Sequence, residues 1–160
     1  MGRGPGEFGL WAMMLAGGYM AGNFVTGRYA QRLGTRRMIK TGTALGVIGG
    51  IVLVGFAAFG PNVPLALFGP MMVVTFSNGL VMASAVSSAV SVRPDLAGAA
   101  SGLSGAVQIA TGAVGTIIVG AMHDGTAIPM AAIVALLAIG AYLAFLMASR
   151  FPDPVEQPIH

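Results

Sequence analysis

Few residues in this sequence have the means to do chemistry. Gly102-Leu103-Ser104-Gly105 has the G-x-S-G spacing of an intramembrane serine protease, and His123-Asp124 offers a base with an acid beside it. A serine nucleophile needs its base within hydrogen-bond reach, about 3 Å. His123 lies nineteen positions beyond Ser104, roughly 28 Å along a continuous helix at about 1.5 Å per residue. His160 lies beyond a further apolar segment. The geometry fails, and the chain is read as a non-enzyme. His123-Asp124 has no third ligand nearby and the chain has no cysteine, so neither a metal site nor a cofactor is expected.

The remaining candidates are uncharged. Asn23, Asn78 and Gln108 lie in long apolar runs, where a carboxamide is costly to leave without a partner. With Tyr19 and Ser104 they are the candidate lining of a small-molecule cavity, although hydrogen bonds between helices would account for them equally well. Gly98, Gly102, Gly105 and Gly112 fall in one narrow helical stripe, a candidate ridge for close helix packing. Gly42-xxx-Gly46-xxx-Gly50 is a similar ridge. The one concentrated charge is in GRYAQRLGTRR (27–37). Arginines in so short a connection can bond the unpaired carbonyls at the C-terminal ends of neighbouring helices.

The elements that position these residues follow from composition. Only 8% of the 160 residues are charged and 56% are hydrophobic, whereas a soluble domain carries about 25% charge. Mean hydropathy is +0.84. No charge occurs in 41–92, 96–122 or 125–149. Crossing roughly 30 Å of hydrocarbon takes about 20 apolar residues, and only helices satisfy their own backbone there without closing a barrel. The expected fold is an all-α membrane bundle of about five transmembrane helices, at 8–27, 41–59, 64–91, 97–122 and 129–149. Disordered ends are expected at 1–7 and 150–160, with turns at Gly60-Pro61-Asn62, Arg93-Pro94-Asp95 and His123-Asp124-Gly125, and a bend at Pro70. The apolar run after Met1–Glu7 has a full span's length, so a cleaved leader is not expected.

Five crossings place Arg28, Arg32, Arg36, Arg37, Lys40, Arg93 and Arg150 on one side and leave only Arg3 opposite. Excess Lys/Arg marks the cytoplasm, which puts the N-terminus outside and the C-terminus inside, in a bacterial inner (plasma) membrane. A pI near 10 does not point to nucleic acid, because the cations cluster in one short connection. The partners expected are the lipid bilayer and a small-molecule substrate. Polar residues concentrate in the first, third and fourth spans, which are expected around a polar interior, with the second and fifth facing lipid.

The 27–37 segment resembles the G-x-x-x-D-R-x-G-R-R signature of the major facilitator superfamily, through Gly27, Arg32, Gly34, Arg36 and Arg37, with Gln31 in place of the acid. GAASGLSGAVQIATGAVG (98–115), with PDLAG before it, resembles helix 11 of Bcr/CflA-type multidrug transporters. The resemblance covers about 8–149 and implies helices 8 to 12 of the C-terminal half of that fold. It implies a cytoplasmic gating loop at those five residues and proton-coupled export of drugs or other small amphipathic molecules. Every Asp and Glu lies outside the expected spans, so the coupling carboxylate would belong to missing N-terminal helices of the same transporter or to a companion chain. On this reading the chain is truncated and does not transport alone. The alternative is a non-transporting small membrane subunit, or a half-unit pairing with another chain.

Overall fold

A computed structural model of the chain describes residues 5–61, 63–92, 97–122 and 126–150, with side chains from residue 9 onward except 89–92, 97 and 100. Within these the fold is five helices: α1 (Pro5–Leu33), α2 (Thr35–Phe59), α3 (Pro64–Val92), α4 (Ala97–Ala121) and α5 (Ile128–Ala148). Four of them, α2 to α5, are long and apolar enough to cross a membrane. Glycine, Tyr19, Asn23 and two arginines make α1 less apolar, yet it lies alongside α3 for most of its length. The expected turns at 93–95 and 123–125 and the tail at 151–160 lie outside the described residues, as does Asn62.

The segment read as a basic loop at 28–40 is helical apart from Gly34. The Gly34 N–H closes α1 on the Ala30 carbonyl at 2.9 Å, and its carbonyl accepts the Met38 N–H at 3.3 Å to open α2. One residue thus ends one helix and caps the next. Its φ of 81° and ψ of 143° lie where a Cβ is severely hindered. α3 runs through Pro70 as one helix.

The contacts between helices fix their directions. Trp11 stacks on Phe68 with ring centroids 5.3 Å apart. Gly18 faces Thr75, and Gly22 faces Gly79. These pairs share one constant offset in residue number, so α1 and α3 run parallel. In α2, Gly42 meets Leu80 and Val81 while Gly49 meets Val73 and Val74, which makes α2 and α3 antiparallel. Gly46 approaches Ala138 and Gly50 approaches Ala135, so α2 is antiparallel to α5 as well. α1, α3 and α5 therefore point one way and α2 the other. α4 leaves from the end where α3 stops and must return the chain to the end where α5 starts. Its 25 residues span about 37 Å at about 1.5 Å each.

Expected to face lipid, α2 is instead an inner helix, packed between α3 and α5. Its buried positions include Gly42, Thr43, Gly46, Gly49 and Gly50, which present small surfaces on two sides and admit a neighbour on each. α4, expected in the interior, has 0% of its span buried, against 33% for α2. Counting polar residues misassigned these helices because hydroxyls satisfy themselves along their own helix. Thr43 Oγ1 donates to the Ile39 carbonyl at 2.8 Å and Ser77 Oγ to Val74 at 2.7 Å. In α4, Thr111 donates to Val107 at 2.8 Å and Thr116 to Gly112 at 2.9 Å. A hydroxyl bonded in this way asks for no polar interior.

Candidate functional site

At the α1–α3 seam, every fourth residue of α1 is buried: Gly18, Gly22 and Thr26. A Cβ built on Gly22 would run into the Phe76 carbonyl, and one on Gly79 would run into the Tyr19 carbonyl, so the two backbones touch. Thr26, only 3% exposed, donates to the Leu80 carbonyl of α3 at 3.3 Å. Asn23 turns its amide back onto the Tyr19 carbonyl at 3.0 Å, a bond within α1. Sequence reasoning singled out Tyr19 and Asn23 as candidate cavity lining and passed over the glycines beside them. The Gly18-xxx-Gly22 spacing was the available signal.

Asn78 has a different setting. It lines a partly open cavity of about 270 Å³ between α2, α3 and α5, together with Thr43, Ser77, Gly42, Gly46 and Ala138. Asn78 itself is exposed, midway along α3. Tyr19, Asn23, Ser104 and Gln108 do not contribute to this lining. The five candidate cavity residues are therefore spread over the α1–α3 seam, the α2–α3–α5 cavity and α4. Ser84 is fully buried, and its hydroxyl has no hydrogen-bond partner among the described residues.

On α4, Gln108 is exposed and Ser104 half-buried. Gly98, Gly102, Gly105 and Gly112 have nothing within 4 Å of where a Cβ would stand. Among the described residues no neighbouring helix fills their stripe. Leu103, Val107 and Ile109 are exposed beside it.

The basic segment gathers where α1 ends, α2 begins and α5 ends. The Arg36 guanidinium donates to the Ser149 carbonyl at the C-cap of α5, where unpaired carbonyls concentrate partial negative charge. Arg37 and Lys40 are exposed on the same side of α2. Arg32 lies in the last turn of α1, while Gly27 is an exposed position inside α1 with open space around it. Helix directions put Arg28, Arg32, Arg36, Arg37, Lys40 and Arg150 all at one end of the bundle. Among the described residues no group of His, Cys, Asp or Glu could hold a metal ion.

Long apolar helices, with every described cation at one end, define an integral membrane protein of the all-α class. Residues 5–151 match the family model described as PUCC protein. The chain belongs to the PUCC protein family. No curated protein and no solved structure matches it significantly. The family match corrects the major facilitator resemblance, because it is the PUCC model and no major facilitator model that the chain fits. The Bcr/CflA likeness falls with it. Both rested on features that membrane bundles share for physical reasons. Arginines gather beside cytoplasmic helix ends, and glycine and serine recur wherever membrane helices pack closely. The signature's one acid, the residue that would have set it apart, is Gln31 here.

Proposed function

We propose that the chain is a non-transporting membrane unit that works by packing against further transmembrane helices, with α4 as the face it offers. The observation that carries this reading is the contrast between two kinds of glycine. Gly18 and Gly22 of α1, Gly42, Gly46, Gly49 and Gly50 of α2 and Gly79 of α3 are filled by neighbouring helices, whereas the stripe at Gly98, Gly102, Gly105 and Gly112 is bare. Membrane helices associate through such small-residue faces, because lipid offers no hydrophobic drive of its own. Membership of a family linked to photosynthesis and bacteriochlorophyll favours a component of a membrane assembly over a free-standing exporter. The seat for α4 is a companion chain or additional helices of the same protein.

The chain has no cysteine, so Gly105→Cys can be cross-linked in native membranes without background. A protein adduct of higher mass is expected from position 105, and none from the lipid-exposed position Leu136, changed likewise to Cys. Labelling by a membrane-soluble maleimide with no protein adduct would show that α4 faces only lipid and sink the reading.

The cavity holding Asn78 favours a second reading, the handling of a small amphipathic molecule within the bilayer. A carboxamide in an apolar cleft of about 270 Å³ can orient such a molecule by one or two hydrogen bonds. We further propose that α1 is a fifth crossing, since its register on α3 holds it at the same depth, and that the basic end is cytoplasmic in a bacterial inner membrane.

A further inference from the structure

A cavity of about 490 Å³ opens between the start of α2 and the end of α5. Arg36, Arg37 and Lys40 line it from α2, Phe145 and Leu146 from α5, and Leu33 from the end of α1. It lies at the boundary between water and hydrocarbon, because Lys40 is the last charge before the uncharged run at 41–92. Arg36 is anchored on the Ser149 carbonyl, which fixes the floor. Arg37 and Lys40 sit one turn apart and project from it. No Asp or Glu occurs among the residues whose side chains are described. The α2 N-terminus has no side-chain cap, and its first free N–H groups add positive potential at the same end.

We propose that this cavity binds the headgroup of an anionic phospholipid. The phosphate lies between Arg37 and Lys40, and the first carbons of an acyl chain run along Phe145 and Leu146 into the bilayer. Three cations alone would accept any phosphate. The apolar wall selects an amphipathic anion, and the position at the membrane surface supplies one. Basic pockets between transmembrane helices bind lipid headgroups in this manner.

The test uses the full chain in nanodiscs of phosphatidylcholine containing a minority of phosphatidylglycerol, with retained lipid counted by native mass spectrometry. Phosphatidylglycerol should be retained in preference. The double variant Arg37→Gln/Lys40→Gln should lose that preference by more than about tenfold, since each cation near an anionic lipid contributes roughly fivefold. Arg28→Gln/Arg32→Gln removes the same charge from α1 at the same end and should leave retention unchanged. Phe145→Ala should weaken phosphatidylglycerol retention without changing the binding of inorganic phosphate. If the double variant fails to fold, Arg37→Lys and Phe145→Ala carry the comparison, and the first should retain the preference. An equal loss in the α1 control, or displacement of the lipid by millimolar inorganic phosphate, would overturn the assignment.

Discussion

Gly34 and Asn78 show how differently single residues reveal themselves. Gly34 stood in the sequence as one residue of the short basic connection, and the positive φ of 81° is what only glycine holds without strain. Gly27, at the start of the same segment, is an ordinary helical position. A glycine in sequence does not say whether it serves a turn, a close approach or neither. Asn78 was legible as an amide in the wrong solvent, but its cavity was not, because α2 and α5 contribute most of the lining. If Asn78 orients a ligand there, Asn78→Leu should weaken the binding of an amphipathic fluorescent probe roughly three- to tenfold, the range for one hydrogen bond. The melting temperature should not fall, since the exposed amide supports no packing. Unchanged probe affinity would remove Asn78 from any binding role.

Among the elements, the α1–α3 pair is the one the sequence hid. The contact is made by absences of side chain: Gly22 against Gly79, and Gly18 against Thr75 and Met72. Polarity patterns do not register an absence. Gly79→Val would place a Cβ against the Tyr19 carbonyl, where only backbone can give way. Such overpacking costs about 1–3 kcal/mol, read as a lower melting temperature in detergent. Gly105→Val puts the same bulk into open space and should leave the isolated chain's melting temperature unchanged. Equal effects at both positions would refute the distinction between filled and bare glycines. The α2 ridge, by contrast, was legible in Gly42, Gly46 and Gly50, although its second neighbour, α5, was not. Two helices competing for one small-residue surface leave the same pattern as one.

For the molecule as a whole, alternation of direction was readable from charge alone. Placing Arg28 to Lys40 and Arg150 on one side required α1, α3 and α5 to run parallel, and the inter-helix contacts have them so. What charge cannot reveal is which helix lies at the centre, because burial inside lipid and burial inside protein look alike in composition. The proposed orientation predicts that a cysteine replacing Arg37 is labelled by a membrane-impermeant maleimide only in inverted vesicles, and one replacing Pro61 only in right-side-out cells. The reverse pattern would turn the molecule over, and labelling of both from one side would remove a crossing.

The seam between α1 and α3 also dictates an order of events. α1 and α2, neighbours in sequence, touch only sparsely, and the Thr26 hydroxyl finds its Leu80 carbonyl only after α3 has been made. During synthesis α1 must therefore wait in the bilayer with its glycine groove against lipid tails, while α2 passes without capturing it. The extensive pairs of the first three helices both include α3, which packs on α1 and on α2, so the bundle closes around α3 and does not grow outward from its first hairpin.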